Sequence, residues 1–346
     1  MTTPLIEARA VSRRFTRKLD YAEKLARYLG MNLQERTVHA VDEASLSVMP
    51  GEVLGIVGES GCGKSTLGRV LAGILPASGG EVLWEGKPLA ALTPAERKRM
   101  RLSTQMIFQD PMSTLNPRKR VVDLVGEAPR VHGLVKGGQV RDYVADLLIR
   151  VGLDPSYLDR YPHQFSGGQR QRIGIARALA VKPKLLVCDE SVAALDVSIQ
   201  AQILNLFMDL RRELGLTYVF ISHDLGVIKH ICDRVLVMYL GRIVESGTAE
   251  AIFDEARHPY TEALLKELPE VRHRGRDFTP IRGEIPSPLN PPPGCHFHPR
   301  CPHAFDPCAR ERPLLTDLGR GHASACLLGA RRQDSPPVSI STDSGS

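Results

Sequence analysis

The clearest chemical signal in the sequence is a glycine-rich loop that ends in a lysine and a serine. Residues 58–65 spell GESGCGKS, directly after the apolar stretch EVLGIV, and the loop runs into the helical pattern KSTLGRVLAGIL. Glycines let backbone N–H groups converge on an anion, and the start of the helix adds a partial positive charge. This context predicts a loop that binds nucleotide phosphates. The predicted site comprises Gly58, Glu59, Ser60, Gly61, Cys62, Gly63, Lys64, Ser65 and Thr66.

Two acidic residues supply the second half of the predicted site. Asp189 and Glu190 end the buried strand pattern KLLVCDE, and ligands of parallel sheets bind at such carboxyl ends. Lys64 is expected to contact the β- and γ-phosphates, while the Ser65 hydroxyl holds Mg²⁺. Asp189 is then expected to orient Mg²⁺ through water, and Glu190 to act as general base on the attacking water.

A parallel sheet is needed to bring these residues together. Short β-rich runs recur at KLLVCDE, TYVFIS and RVLVMYL, separated by helical patterns such as SIQAQILNLFMDLRREL. Residues from about 110 to 179 have mostly helical patterns, with breaks at GLVKGG, GLDP and RYPHQFSGG. The sequence therefore predicts an α/β body with a helical insert.

Composition narrows the class of protein. The chain has 346 residues, 42% apolar and 24% charged, without an apolar run of the roughly 18 residues that span a membrane. The start MTTPLIEARA lacks the pattern of a secretory signal, so a cytoplasmic location with reduced thiols is expected. The net charge of +6 comes from scattered basic residues, and we expect no nucleic-acid partner.

Four further motifs, in chain order, resemble those of the ABC-type ATPases. They are the Q-loop Gln109 in FQDP, the signature residues Ser166, Gly167, Gly168 and Gln169 in FSGGQRQRIGIARAL, the D-loop Asp196 in AALD, and the switch histidine His223 in ISHD. The resemblance covers about residues 5–270. It implies that the nucleotide is ATP and that the chain hydrolyses it.

The resemblance also implies how the two glycine-rich loops are used. SGGQ, at the start of a helix, offers a second anion-binding loop without a lysine. In the family two ATPases pack head to tail, so each ATP lies between the Gly58 loop of one subunit and the Ser166 loop of the other. Hydrolysis then removes the contacts that favour the closed dimer. His223 is implied to bind the γ-phosphate, and Gln109 to contact Mg²⁺ and to lie against a membrane partner.

The fold class implied by the resemblance is α/β, a P-loop ABC-type ATPase domain with a small Cys-rich C-terminal extension. The domain has a mixed sheet core and a helical signature subdomain. The expected boundaries are residues 1–270 for the ATPase domain, with the helical subdomain at about 110–180, then 271–330 for the extension and 331–346 for a disordered tail.

Two residues depart from the pattern that is usual in the family. Ser191 stands where the family usually has a proline, and Ala193 where the D-loop usually has a serine. Neither change removes a charged group, so activity is expected.

The aromatic residue that stacks on adenine is assigned by position to Phe15, and the insertion after it leaves three alternatives, Tyr21, Tyr28 and His39.

The segment after the ATPase domain resembles one subgroup of the family. HPYTEALLKELP and RGEIPSPLNPPPGCHFHPRCP are similar to the extension of dipeptide and oligopeptide transporter ATP-binding subunits, whose relatives also import nickel or glutathione. The resemblance implies a peripheral protein on the cytoplasmic face of the membrane. Its implied partners are a second ATPase, forming a heterodimer, two transmembrane permease subunits and, indirectly, a substrate-binding protein.

Four cysteines in this extension have the spacing of ligands. Cys295, Cys301, Cys308 and Cys326 run C-x5-C-x6-C-x17-C. Structural zinc usually has at least one C-x2-4-C pair, whereas a cubane iron-sulfur cluster tolerates wider spacing. The residues leave open a 4Fe-4S cluster, zinc, or four unliganded thiols, and the resemblance favours the cluster. A mixed zinc site with nearby histidines is a further alternative, its candidates being His296, His298, His303 and His322.

Two other classes of protein share the same motor motifs. A soluble ABC ATPase acting on nucleic acid or ribosomes usually fuses two motors or inserts a long coiled coil, and this sequence shows one motor and no long heptad run. An exporter motor is disfavoured because the sequence contains no fused transmembrane domain and its extension resembles those of importers.

Overall fold

The computed structural model describes residues 3–17, 23, 28, 29, 35–110, 114–193, 195–267 and 283–329. These residues form two β-sheets, a group of helices and a C-terminal segment with short strands and turns. None of the described helices combines the length and apolar character needed to cross a bilayer. Tyr21 and the tail 331–346 lie outside the described residues.

Two sheets organise the chain. The described strands are β1 (Ile6–Arg17), β2 (Arg36–Val48), β3 (Val53–Val57), β4 (Gly79–Trp84), β5 (Lys87–Pro88), β6 (Thr104–Ile107), β7 (Leu185–Asp189), β8 (Thr217–Ile221), β9 (Arg234–Tyr239), β10 (Arg242–Thr248), β11 (Thr316–Asp317) and β12 (Ala323–Ser324). An antiparallel sheet has the order β2-β1-β4-β5, and a mixed sheet has the order β11-β12-β10-β9-β3-β8-β7-β6. Strands β9, β3, β8, β7 and β6 are parallel neighbours.

The centre of the mixed sheet is apolar on both faces. Every residue of β3, β7 and β8 is buried. In β3, Val53 and Val57 pack into one hydrophobic cluster, whereas Leu54 and Ile56 pack into another. Side chains alternate between the faces of a strand, so an uninterrupted apolar run fills both layers. This burial fixes the carboxyl ends of the three strands side by side.

Helices cover the sheets and form a separate group. The described α-helices are α1 (Lys64–Leu71), α2 (Pro94–Ser103), α3 (Val121–Val131), α4 (Val140–Arg150), α5 (Gly167–Leu179), α6 (Val197–Leu214), α7 (Leu225–Ile231), α8 (Ala249–Asp254) and α9 (Pro259–Leu265). Helices α3, α4 and α5 pack on one another. They lie within the range in which the sequence predicts a helical insert, and α5 also contacts α6 and β6.

The C-terminal segment 283–329 lies directly on the α/β body. Its strand β12 extends the mixed sheet by pairing with β10, and the Ala325 N–H donates to the Val244 carbonyl at 2.8 Å. Phe297 is only 1% exposed and packs edge-on against Tyr239 of β9. The cysteine-rich stretch itself contains two short 3₁₀ turns, His298–Arg300 and Asp306–Ala309. The segment therefore shares the core of the body.

A buried carboxylate and a buried histidine fasten this junction. Glu245 of β10 is fully buried and accepts hydrogen bonds from the backbone N–H of Arg257 at 2.6 Å and of His258 at 3.0 Å. His322 lies 2.7 Å from the same carboxylate. His258 Nδ1 accepts from the Tyr260 N–H at 3.1 Å, and burial lowers the pKa of His258 to about 4. The His258 ring is therefore neutral at neutral pH.

We expect the folded state to lose stability as the pH falls from about 6.5 toward 4, because the unfolded chain binds a proton at His258 first. For a shift of this size, the His258 contribution to the free energy of unfolding falls by about 2 kcal/mol between pH 7 and pH 5. Burial also lowers the pKa of His296 to about 4, which adds to the loss. Chemical unfolding at both pH values should show a smaller pH dependence for His258→Gln. The exposed His163, replaced by glutamine, is the control that should behave as the wild type.

Candidate nucleotide site

Two glycines shape the loop between β3 and α1. Gly58 and Gly63 have φ angles of 148° and 109°, in the region that favours glycine. A Cβ atom at Gly58 would lie 2.1 Å from the carbonyl oxygen of Met238, and one at Gly63 would lie 2.0 Å from that of Ala40. A larger residue fits at neither position, so the loop backbone packs directly on β9 and β2.

The lysine of the loop is buried and its serine is half-buried beside the predicted acidic residue. Lys64 is 4% exposed, and its Nζ donates to the carbonyl oxygens of Gly58 at 2.7 Å and Glu59 at 2.9 Å. Ser65 Oγ donates to Asp189 Oδ1 at 2.6 Å. Burial raises the pKa of Asp189, and the Ser65 hydrogen bond opposes that shift. The parallel pairing of β3, β8 and β7 thus brings together the residues predicted for phosphate and Mg²⁺.

The predicted general base and switch histidine are neighbours. Glu190 follows β7 with a φ of 46°, an unusual angle for a residue with a side chain. Its N–H donates to the Ile221 carbonyl at 2.9 Å, which holds the strained backbone against β8. Glu190 Oε1 lies 3.5 Å from His223 Nδ1, and the His223 side chain is 57% exposed. The two side chains therefore face each other at the carboxyl-terminal edge of the sheet.

The signature residues form a capped helix start. Ser166 Oγ accepts from the Gln169 N–H at 3.4 Å, and Gln169 Oε1 accepts from the Ser166 N–H at 3.0 Å. A Cβ atom at Gly168 would lie 2.5 Å from the Ile199 side chain of α6, so this glycine permits close packing of α5 on α6. Asp196, at the predicted D-loop, is the N-cap residue of α6. The signature loop and the D-loop therefore form one surface.

The two glycine-rich loops are not joined within the described residues. In the part of the chain that the structure describes, no hydrogen bond or ion pair connects Ser166–Gln169 with residues 58–66. A single chain therefore presents the two predicted halves of the site separately.

The structure also places the predicted Q-loop glutamine and the two residues that depart from the family pattern. Gln109 is exposed just beyond β6, Ser191 is buried, and Ala193 is exposed.

The adenine candidates lie on the β1–β2 pair. Phe15 is 39% exposed and is paired in register with Val38, while the Arg13 guanidinium lies 4.6 Å from its ring centroid. Ala40, two residues along β2 from Val38, touches the phosphate loop at Gly63. Phe15 is thus carried by the hairpin that borders the loop. The other described candidates are His39, whose N–H donates to the Pro288 carbonyl at 3.1 Å, and Tyr28, which is 89% exposed.

Sequence reasoning missed two residues that hold the phosphate loop. The Tyr260 hydroxyl accepts from the Glu59 N–H at 2.8 Å. The Arg300 guanidinium donates to both carboxylate oxygens of Glu59, at 2.7 and 2.9 Å. The available signal was Glu59 itself, because a carboxylate inside an anion-binding loop requires a cationic partner when it is shielded from water.

The four extension cysteines lie near one another as free thiols. Burial, together with the charges of Cys326, Cys308 and Cys301, raises the pKa of Cys295 to about 11. Even so, the described part of the chain contains no group of three or more His, Cys, Asp or Glu side chains arranged to hold a metal ion. The observed arrangement does not fit a single zinc ion, which needs four ligand atoms at about 2.0–2.3 Å.

Comparison with known proteins gives the family. Residues 41–193 match the ABC transporter family, and residues 244–308 match the C-terminal region of oligopeptide/dipeptide transporters. The oligopeptide transport ATP-binding protein OppF of Salmonella typhimurium is 50% identical over 84% of this chain and 88% of its own length.

Two solved structures share the fold. The CbiO1 protein of Clostridium perfringens, part of the ABC transporter complex cbiONQ, has a TM-score of 0.60 at 28% identity, covering 73% of this chain and 92% of that one. The ATP-binding cassette MJ0796, a dimer bound to ADP and Pi after hydrolysis, has a TM-score of 0.58 at 25% identity, covering 70% and 98%.

These matches and the site geometry define an ABC-type ATPase, and the fold class and enzyme class predicted from the sequence are confirmed. The chain belongs to the ABC transporter family, among the ATP-binding proteins of the oligopeptide and dipeptide transporters.

Proposed function

We propose that this ATPase drives the uptake of dipeptides or oligopeptides as a peripheral subunit on the cytoplasmic face of the membrane. Its proposed partners are a second ABC ATPase, forming a heterodimer, two transmembrane permease subunits and, indirectly, a substrate-binding protein. The observation that carries the proposal is the 50% identity to an oligopeptide transport ATP-binding protein over 84% of the chain. The match of residues 244–308 to the oligopeptide/dipeptide C-terminal region supports the same cargo.

In the proposed mechanism, the phosphate loop binds ATP through its backbone N–H groups and Lys64. Lys64 must exchange at least part of its hydrogen bonding to the loop carbonyls for the β- and γ-phosphates. The oxygen donors of Ser65, Asp189 and Gln109 suit Mg²⁺, which when bound neutralises charge on the phosphates.

Glu190 accepts a proton from the attacking water, and His223 donates a hydrogen bond to the γ-phosphate. Their separation of 3.5 Å lets one residue orient the other before ATP arrives. The strained Glu190 backbone fixes where its carboxylate lies. The attacking water is thereby held next to both side chains.

We further propose that Ser166, Gly167, Gly168, Gln169 and Asp196 act on the ATP of the partner subunit. Ser166 and Gly167 are exposed, as a surface that receives a second protein requires. ATP then favours the closed dimer because only that state contacts both loops of the nucleotide sandwich.

The transport proposal is tested on the complete complex, purified through a tag on this chain and reconstituted in liposomes. We expect peptide uptake that requires ATP and the binding protein, and that is lost when this chain carries Lys64→Ala. Recovery of the chain with ribosomes or nucleic acid, without permease subunits, is the result that would contradict it.

For adenine, we propose that Phe15 supplies the stacking ring. Stacking of an aromatic ring on a base contributes on the order of 1–3 kcal/mol, so Phe15→Ala should weaken ATP binding by at least about fivefold. Phe15→Trp preserves a ring and should restore the affinity, as measured by calorimetry. An unchanged affinity in Phe15→Ala would move the role to His39 or Tyr28, or to Tyr21.

We also propose that Cys295, Cys301, Cys308 and Cys326 hold a 4Fe-4S cluster. The support is their C-x5-C-x6-C-x17-C spacing and the match of residues 244–308 to the C-terminal region of oligopeptide/dipeptide transporters. A cubane cluster separates its ligands more widely than one ion does, so it does not require the four sulfurs to converge on a single point. Anaerobically purified protein should contain iron and acid-labile sulfide in equal amounts, about four each per chain. Zinc without sulfide, or neither metal, would reject the cluster.

A further inference from the structure

The phosphate loop contains an acidic residue where the ligand is itself an anion. Glu59 is the second residue of the loop, and its side chain is only 17% exposed. A carboxylate so close to bound phosphates opposes them unless its charge is balanced and its direction is fixed. The C-terminal segment supplies the balancing charge, because Arg300 forms a two-pronged ion pair with both Glu59 oxygens.

Arg300 is itself held rigidly in place. Its side chain is 4% exposed, and its Nη1 also donates to the Tyr239 hydroxyl at 3.3 Å. Arg300 ends a 3₁₀ turn that begins just after Phe297, and Phe297 packs against both Tyr239 and Tyr260 with ring centroids 5.3 Å apart in each case. The planar fork of an arginine matches a carboxylate with two parallel hydrogen bonds. Arg300 therefore fixes the direction of Glu59 as well as its charge.

Residue 59 is fastened at three places, and one of them leads to the predicted phosphate-binding lysine. Its side chain binds Arg300, its N–H donates to Tyr260, and its carbonyl accepts from Lys64 Nζ at 2.9 Å. Tyr260 is fully buried on α9, and both of the first two contacts come from residues that follow β10 in the chain. Releasing Glu59 would free the loop segment that orients Lys64.

We propose that Arg300 is a positioning residue for the phosphate loop, so that the folded C-terminal segment sets the affinity of this chain for nucleotide. The inference rests on the proposed binding of ATP at residues 58–66. Binding energies are reciprocal, so bound nucleotide also stabilises the docked state of the segment. A change in the docking of the segment would then act through Arg300 and Glu59 on Lys64 and alter the affinity for nucleotide.

The test uses the full chain and measures the Kd of ATP and of ADP by calorimetry. Arg300→Met removes the charge and the fork, and we expect both Kd values to rise about tenfold, a coupling of ordinary size for linked sites. Arg300→Lys keeps the charge without the fork and should give a smaller rise, about threefold, while sparing the fold if the methionine variant is unstable. In the assembled transporter, the KM for ATP should rise with kcat within about twofold, the pattern of lost uniform binding.

The matched control is Arg312, which ties the same segment to the body without touching the phosphate loop. Its guanidinium lies 2.7 Å from Glu43 and 3.8 Å from Asp42. Arg312→Met should leave the nucleotide Kd unchanged. Nucleotide affinities that stay at the wild-type value in both Arg300 variants would overturn the inference, and so would an equal loss in Arg312→Met. A wild-type chain that binds no ATP would overturn the proposed function as well.

Discussion

Replacing Glu190 with glutamine should abolish ATP turnover while leaving ATP binding intact, and should trap the closed dimer. Glutamine has the size and shape of glutamate, so it can keep the contact with His223 and the strained backbone at φ 46°. It cannot accept a proton from water, and the loss of a general base costs about 10²–10⁴-fold in rate. Because the ATP is not hydrolysed, it stays in contact with the phosphate loop of one subunit and the signature loop of the other, and the dimer stays closed.

The measurement pairs phosphate release with light scattering in the presence of ATP and Mg²⁺, on the chain alone and together with its partner ATPase. We expect turnover below about one hundredth of the wild-type rate and a mass corresponding to two subunits. Glu213→Gln is the control, since Glu213 lies at the far end of α6 and forms a surface ion pair with Arg150. A Glu190→Gln chain that hydrolyses ATP normally, or that stays monomeric in both settings, would contradict the mechanism.

The convergence of Lys64, Ser65, Asp189 and Glu190 at one edge of the sheet was predictable, because local sequence places each of them just after a buried strand. The five-residue apolar strand β3 must be buried in the sheet. The glycine loop and helix α1 that follow it place Lys64 and Ser65 at the carboxyl end of this strand. Asp189 and Glu190 end a second buried strand, and β8, with His223 two residues beyond its end, pairs with β7 in parallel. Parallel strands place their carboxyl ends at one edge, so their convergence follows from the pattern alone.

The contacts made by the C-terminal segment could not be predicted in the same way. Arg300 lies 241 positions from Glu59, in a proline-rich stretch without periodicity. Local sequence does not specify which face of the body such a segment covers. The docking depends on Phe297 entering an aromatic cluster with Tyr239 and Tyr260, residues that look like ordinary strand and helix core in the sequence. Tertiary packing alone brings the carboxylate and guanidinium together.

Ser166→Asp should stop ATP hydrolysis without weakening the binding of ATP to the same chain. Aspartate is as good an N-cap as serine, so it can accept the Gln169 N–H bond that starts α5 and keep the helix folded. In the closed dimer its negative charge would face the phosphates held by the partner's loop, and the dimer would be disfavoured. Because residues 58–66 are untouched, calorimetry on the isolated variant should give a Kd for ATP within about twofold of wild type, as expected for sites that share no contacts.

Ser166→Asn isolates the charge, since asparagine caps helices equally well and has nearly the same shape as aspartate. We expect it to keep a substantial share of the hydrolysis rate, while Ser166→Asp loses at least about 100-fold, the scale of a misplaced charge in a water-excluded site. In pairs that the isolated chain forms with itself, mixing Ser166→Asp chains with Lys64→Ala chains extends the test. Every such pair has at most one intact composite pocket, formed by the loop of the aspartate variant and the signature of the lysine variant. Two sites shared between subunits predict partial recovery in the mixture, whereas a site complete within one chain predicts none.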